Sequence, residues 1–322
     1  MDVKERVSEE LGMNPEEWRL GQGTIYPDRI ESGATAHSHK IKTHHNRVGR
    51  IEELLEKGLV VEPIGELYKD EVRNLGRILG LGDFIVDRHP FPGPGLAVRC
   101  LCLDEEPVIE EDLKALVEAP EAELSRLCRE SGLTPHILPV NSVGVQGDKR
   151  SYARPLALFA DSADFSDWDA LGYIARQAPN RVSGLNRVVF YAGGKHDPEH
   201  EGGRFRARYP AYLTRERMEI LRAADHAVTG FLREKNIYND IWQFPVVLVP
   251  VYFATQERDD PSDRSESIIL RPVNSTEAMT ASSYRMEFGL MRELTARLLK
   301  IPNVDGVYYD LTSKPPGTIE WE

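Results

Sequence analysis

Cysteine is scarce. The chain has three, Cys100, Cys102 and Cys128, none at Cys-x-x-Cys spacing, which argues against a disulfide framework and against a zinc site. Long apolar runs are missing too: nothing approaches the roughly 18 consecutive residues that span a bilayer. The N-terminus MDVKERVSEE is charged rather than signal-like. A cytoplasmic protein with no membrane partner is the expectation. A basic surplus is also lacking: 52 acidic residues against 40 basic ones give a net charge of −12. Polynucleotide binding needs a basic footprint, so nucleic acid is not an expected partner. A small anionic ligand stays compatible, because a few cations can be concentrated locally. The sequence contains no P-loop, no G-x-G-x-x-G, no S-G-G-x-D-S loop and no activated-cysteine motif.

What is present is an ordinary globular composition, 41% hydrophobic and 29% charged, over 322 residues, enough for two domains. Residues 1–103 alternate helix and strand. Val3–Leu11 has helical spacing with Gly12 as C-cap. Leu20–Ile25 reads as a strand ending in a turn at Pro27-Asp28. Arg47–Lys57 is an amphipathic helix stopped by Gly58, Leu59–Glu62 a short strand, and Lys69–Leu79 a helix with Asp70 and Glu71 in its first turn. Such alternation predicts an α/β domain with a parallel, doubly wound sheet, here entered mid-pattern.

The segment His89–Leu96, HPFPGPGL, can be neither helix nor central strand and reads as a rigid loop and hinge. Acidic helices over Glu105–Glu118 and Glu121–Glu130 follow. From Pro135 onward the chain nearly repeats itself. LPV (138–140), Arg150-Ser151 and VSGLNRVVFY (182–191) return as VPV (249–251), Arg264-Ser265, ILRPV (269–273) and NVDGVYYD (303–310). Each copy suggests β–β–α–β, a small sheet that the other copy or another subunit would cover. The polar linker Gly193–Tyr209 reads as a loop.

Four segments could carry chemistry, each with a plain structural alternative. In the tail SKPPGTIEWE (313–322), Lys314 and Thr318 with nearby amides could hold a phosphate and Glu320 could accept from a base edge. It could equally be a strand tail pinned by Trp321. The loop HPFPGPGL could stack a base on Phe91 or a proline face and offer amides at Gly93 and Gly95, or be an elbow. The stretch HSHKIKTHHN (37–46) holds four of the nine histidines. A phosphate-neutralising lid on Lys42 with imidazole donors suits it as well as zinc does, and a solvated loop is the bland reading. The turn GVQGDKRSY (144–152) reads as a hairpin, past which Arg150 would suit a phosphate and Asp148 a sugar hydroxyl.

Taken in order, QGTIYPDRIES, IKTHHN, VEPIGELYKDEVRNLGRILGL, RHPFPGPGLAVR, VNSVGVQGDKRSY, QFPVVLVP and LTSKPPGTIEWE resemble the GMP synthase family, and the match runs through essentially the whole chain. The resemblance implies that residues 1–103 are the C-terminal half of an ATP-pyrophosphatase domain, a truncated doubly wound parallel sheet of the adenine nucleotide alpha hydrolase kind. Residues 104–322 would be a duplicated α+β dimerisation domain, with subdomains at about 104–200 and 210–322, of the eukaryotic type. It implies ATP-dependent amination of XMP to GMP through an adenyl-XMP intermediate, with ATP and Mg²⁺ and a homodimer. Carried onto matching positions, Lys42, His44 and His45 belong to a catalytic lid. Asp148, Arg150, Gln243, Lys314 and Glu320, with Thr318 beside them, belong to the XMP site, and His89, Phe91, Pro92, Gly93 and Gly95 to the cleft loop; no metal ligand is assigned. In the family a glutamine amidotransferase domain and the S-G-G-x-D-S loop precede this region. Their absence predicts no turnover by this chain alone, and makes three roles possible: one component of a ligase completed by a separate chain, a nucleotide-binding and dimerisation module without activity, or a truncated product.

Overall fold

A computed structural model describes residues 3–12, 14, 18–31, 49–146, 149–196, 204–255, 265–275 and 280–322. The chain forms two compact units, Met1–Arg88 and His89–Glu322. The prolyl loop and the residues after it therefore belong with the second unit. Leu101 donates its N–H to Leu248 O (2.9 Å) and Leu103 to Ala211 O (2.9 Å).

In the first unit α1 (Val3–Glu10) precedes β1 (Leu20–Gly21), α2 (Tyr26–Glu31), α3 (Gly49–Glu56) and β2 (Val60–Val61), with α4 (Lys69–Ile78) and α5 (Asp83–Val86) after it. β1 and β2 pair in parallel, Leu20 opposite Val60. The strand expected to reach Ile25 is cut short because Pro27-Asp28 opens a helix instead of a turn. Asp28 accepts the Ile25 N–H at 3.1 Å, and proline suits a first helical turn, where its missing donor costs nothing. At the start of α4 the Glu71 carboxylate accepts the Tyr68 N–H at 2.7 Å, half of a capping box. Gly80, at φ +77°, ends it. Ile78, Leu79, Leu81, Phe84 and Ile85 are all exposed on this unit.

The second unit begins with a 3-10 turn, Gly95–Arg99, then α6 (Glu111–Glu118), α7 (Glu123–Glu130), β3 (Leu133–Ile137), β4 (Ser142–Gln146), β5 (Lys149–Ala160), α8 (Trp168–Arg181) and β6 (Leu185–Gly194). It continues through β7 (Arg204–Ala207), α9 (Arg215–Glu234), β8 (Val246–Val249), β9 (Val251–Ala254), β10 (Glu266–Leu270), β11 (Val273–Asn274), β12 (Ser282–Ser283), α10 (Phe288–Leu298) and β13 (Val304–Asp310). Helix α6 starts later than its acidic run suggested. Pro107 disfavours helical backbone at Glu106, and the helix forms only past it. Among the described residues no helix is long and apolar enough to cross a membrane.

The main sheet is mixed, in the order β3-β5-β6-β13-β10-β8, with β4 pairing the far half of β5. It is a palindrome. β3 lies antiparallel to β5, which is parallel to β6 beyond α8; β8 lies antiparallel to β10, which is parallel to β13 beyond α10. Both parallel pairs shift register at the same place, Arg154/Pro155 and Glu266/Ser267. The copies join where β6 meets β13 antiparallel, Phe190 opposite Tyr309, Tyr191 opposite Tyr308 and Val189 opposite Asp310. A pseudo-two-fold axis thus runs between Phe190 and Tyr309, and the edge that each half-sheet would leave open is closed by the other.

Period-two alternation divides the sheet's side chains. Leu156, Leu158, Val188, Phe190, Ile268, Leu270, Val307 and Tyr309 share one core with buried residues of α8, α9 and α10. Ala157, Phe159, Val189, Ile269 and Tyr308 share a second with Leu101, Leu138 and Trp321. Each such valine, leucine, isoleucine or phenylalanine contributes about 1.5–3 kcal/mol on burial. The polar stretch from Gly193 to Tyr209 is not all loop. Gly193 and Gly194 extend β6, and Arg204–Ala207 form β7 against β9; residues 197–203 lie outside the described ones. At Gly194 a side chain would meet the Asp305 carbonyl at 2.9 Å, so glycine allows the strand to carry on beside β13.

Candidate functional site

The C-terminal tail is held by a buried charge cluster. Arg187 of β6 donates to Asp310 Oδ2 at 2.9 Å, Arg271 just past β10 lies 3.2 Å from the same oxygen, and all three residues are fully buried. Trp321 Nε1 also donates to Asp310 Oδ2 (2.9 Å), and the Arg187 guanidinium sits 4.9 Å from the Trp321 ring centroid. Arg187 Nη2 reaches the carbonyls of Val143 (2.9 Å), Thr318 (2.9 Å) and Glu320 (2.8 Å); Arg271 reaches Thr312 O and Thr318 O. Burial drives the Asp310 carboxyl up, but Arg271, Arg187 and the Thr312 donors outweigh it and hold it below its ordinary value. Burial pushes Arg187 down to about 10, against the pull of Asp310. A buried charge is tolerable only with such partners.

β4 supplies the other wall. Val143 donates its N–H to Trp321 O at 2.9 Å and Val145 its N–H to Pro316 O at 2.6 Å. A side chain at Gly144 would stand 2.8 Å from the Pro316 carbonyl, so only glycine permits this approach. Thr318 is committed to the same network: its hydroxyl accepts from Arg187 (2.8 Å) and donates to Val143 O (2.9 Å).

Glu320 is gripped by Arg99, whose Nε and Nη2 donate to its two oxygens at 3.0 and 2.9 Å. Arg99 in turn lies 5.0 Å from the Phe91 ring centroid. Gly95, at φ +73°, donates its N–H to Pro92 O (2.9 Å) and starts the turn that delivers Arg99; Gly93 lies within the loop so closed. His89 stacks on Tyr238, centroids 4.0 Å apart, and its backbone N–H donates to the Tyr238 hydroxyl at 3.1 Å. The two most distinctive sequence motifs, HPFPGPGL and KPPGTIEWE, are thereby joined through Phe91, Arg99 and Glu320.

Lys314 exchanges backbone hydrogen bonds with Ala281 (3.1 and 2.7 Å) and lines an open cleft of about 550 Å³ with Asn274, Ser275, Thr280, Ser282 and Ser313. Gln243, buried, reaches the same ladder: its backbone pairs with Val273 (3.1 and 2.9 Å), which lies opposite Ser283. Arg150 is exposed at the start of β5, opposite the Val145 that binds Pro316. Lys42, His44, His45 and Asp148 lie outside the described residues, as does the zinc alternative for the histidine run. Among the described residues no group of three or more His, Cys, Asp or Glu could hold a metal. Burial pushes the Cys100 thiol up to about 11 and that of Cys128 up to about 12, so neither is a nucleophile.

Sequence reasoning named the tail but not what holds it. Arg187, Arg271 and Asp310 were overlooked, although an arginine inside LNRVVFY or ILRPV is itself a signal. A charge amid an apolar strand is seldom buried without a partner.

Residues 231–321 match the GMP synthase C terminal domain. The chain is 44% identical over 322 residues to the probable GMP synthase (glutamine-hydrolyzing) of Leptospira interrogans, covering 100% of this chain and 50% of that protein. It is 34% identical over 380 residues to the probable GMP synthase of Caenorhabditis elegans (99% and 50%), and 33% over 360 residues to the GMP synthase of Dictyostelium discoideum (100% and 49%). The chain spans about half the length of the curated relatives it matches. Over that span its sequence is similar to those of GMP synthases.

Proposed function

We propose that this chain is the XMP-binding component of a GMP synthase, which joins ammonia to XMP at the expense of ATP. The observation that carries the reading is that the tail held by Arg99, Arg187, Arg271 and Asp310 pairs at Lys314 with Ala281, at one end of the ladder that Gln243 joins through Val273, and at Pro316 with Val145, which lies opposite Arg150. Lys314 and Arg150 then meet the nucleotide phosphate, as ammonium and guanidinium groups suit it. Gln243 and Asp148 hold the nucleoside. A carboxylate offers about four lone-pair sites, so Glu320 keeps acceptors for a base edge while Arg99 orients it. Lys42, His44 and His45 act as a lid at the ATP phosphates.

ATP with Mg²⁺ supplies the activation of the base oxygen toward displacement. No residue described here makes a metal site, and the S-G-G-x-D-S sequence is not in this chain. We place the pyrophosphate loop and the ammonia-producing glutaminase outside these 322 residues. The exposed apolar side chains Ile78, Leu79, Leu81, Phe84 and Ile85 offer the first unit a face for that complement. The first unit is read as the C-terminal half of an ATP-pyrophosphatase domain and the duplicated sheet as a dimerisation domain within a homodimer.

Calorimetric titration with XMP tests the site. Arg150→Ala and Lys314→Ala should each weaken binding by about tenfold or more, roughly 1.4 kcal/mol; unchanged affinity in both removes the assigned phosphate site. With ATP, XMP and ammonia, the isolated chain should release no AMP. A measurable rate from it would overturn the need for those missing parts, and XMP binding that their addition does not convert to turnover would favour a binding module.

A further inference from the structure

Helix α8 carries Trp168, Gly172, Ala175 and Arg176 at three- and four-residue spacing, which sets them on one face. With Arg285 and the tail residues Ser313, Pro315 and Pro316, that face encloses a cavity of about 340 Å³. Trp168 is fixed in its wall, the indole Nε1 donating to Met286 O at 3.0 Å. A Cβ at Gly172 would stand 3.5 Å from Arg176 Nη1 and 3.5 Å from Arg285 Nη2. Glycine here lets two guanidiniums from distant parts of the chain come together, where a longer side chain would part them. Ser282 and Ser313 add hydroxyls to the lining, and neither makes a side-chain hydrogen bond among the described residues. The same two serines also line the cleft that holds Lys314, so they form a wall common to both spaces.

Two cations this close repel each other, and they have little to offset them. Asp169 Oδ1 takes Arg285 Nη1 at 2.8 Å, from a side chain 89% exposed, and surface pairs of that kind are weak. Arg176 is exposed and has no ion pair among the described residues. Among those residues no Asp or Glu lines the cavity, in a chain where acidic residues outnumber basic ones by 52 to 40. What remains is uncompensated positive charge with its N–H donors side by side, the arrangement that suits the oxygens of a phosphate group. Trp168, Ala175, Leu311 and the two prolines supply apolar surface next to it. The volume lies at the lower end of small-molecule sites, which begin at roughly 300 Å³. We infer that this cavity binds a small organic phosphate. Arg176 and Arg285 hold the phosphate, Ser282 and Ser313 donate to it, and the organic part lies against Trp168. An occupant bridges α8 of the first copy and the tail of the second. The site is separate from the Lys314 cleft, and its assignment does not rest on the XMP reading.

Calorimetric titration of the full chain with phenyl phosphate, inorganic phosphate and phenol tests this. Phenyl phosphate should bind an equivalent that Lys314→Ala retains, about tenfold or more tighter than inorganic phosphate, and phenol should not bind. The double variant Arg176→Gln/Arg285→Gln should weaken that equivalent by about tenfold or more. Gly172→Leu, which fills the cavity and keeps both charges, should do the same. Both arginines are exposed, so the double variant should unfold at the parent's temperature. Affinity unchanged in the double variant overturns the site. Binding lost in Lys314→Ala and kept in the double variant puts the phosphate in the cleft, which overturns this site and supports the XMP reading. Binding lost in both makes cavity and cleft one site and overturns their separation. Inorganic phosphate binding as tightly as phenyl phosphate overturns the organic ligand. No binding to the parent chain overturns the site and leaves the XMP reading to its own titration.

Discussion

Arg99 and Glu320, 221 positions apart, meet as a two-bond fork, with the arginine buried and the carboxylate partly in solvent. Breaking a buried pair by removing one partner costs about 3–5 kcal/mol, and the exposure of Glu320 lowers that here. Arg99→Met should therefore destabilise the second unit by about 1–3 kcal/mol, read from the urea midpoint at constant slope. A double-mutant cycle with Glu320→Gln should return a favourable coupling. A coupling near zero would mean that Arg99 acts only through its contact with Phe91.

Gly144 and Gly230 make opposite predictions from the same substitution. Alanine at 144 places a carbon 2.8 Å from the Pro316 carbonyl, so the tail must move, at about 1–3 kcal/mol for overpacking. Alanine at 230, exposed within α9 with nothing within 4 Å, should stabilise by about 0.5–1 kcal/mol. Thermal unfolding of the two variants separates them, and equal shifts would contradict the close approach of β4 to the tail.

Asp310 sets a pH dependence. Its carboxyl is held below the ordinary 3.8 by its guanidinium neighbours once they have outweighed burial. A depressed folded-state pKa contributes stability that is complete above the unfolded value and is lost as pH falls through the folded one. At neutral pH Asp310→Asn should cost about 3–5 kcal/mol, since Arg187 and Arg271 stay buried without it. The gap between variant and parent should close as pH drops below about 4. Urea unfolding over a pH series would expose the error if the gap stayed constant into acid.

The thiols should sort by burial. Cys100 and Cys128, pushed up to about 11 and about 12, have almost no thiolate at pH 8. Exposed Cys102 should react first with an aromatic disulfide reagent. One fast equivalent per native chain and three after unfolding is the expected count; fast modification of all three would contradict the packing around β3 and β8.

The duplication was legible because both copies keep similar apolar strands, LPV at 138–140 answering VPV at 249–251. The hairpin about GVQGDKRSY, now β4 and β5, was legible from its turn residues. The extension of β6 through Gly193 and Gly194 was not, because glycine reads as loop until a neighbouring strand needs its bareness. The tail was recognised as unusual, but Thr318 looked like a phosphate donor, and only the placement of Arg187 and Val143 shows its hydroxyl already engaged. Arginine reads as surface, so the three that organise the tail, Arg99, Arg187 and Arg271, stayed hidden. Their partners lie far along the chain, and no local pattern records that distance.

The seam between β6 and β13 is made within one molecule, so dilution cannot separate its two sides. A symmetric interface between identical subunits obliges each residue near the axis to suit its own image, and any substitution there strikes twice. Here Phe190 faces Tyr309 and Val189 faces Asp310, so a mutation on one side leaves the other intact. Covalent linkage has released the two copies from resembling each other. That freedom lets the second copy alone end in a proline-lined tail.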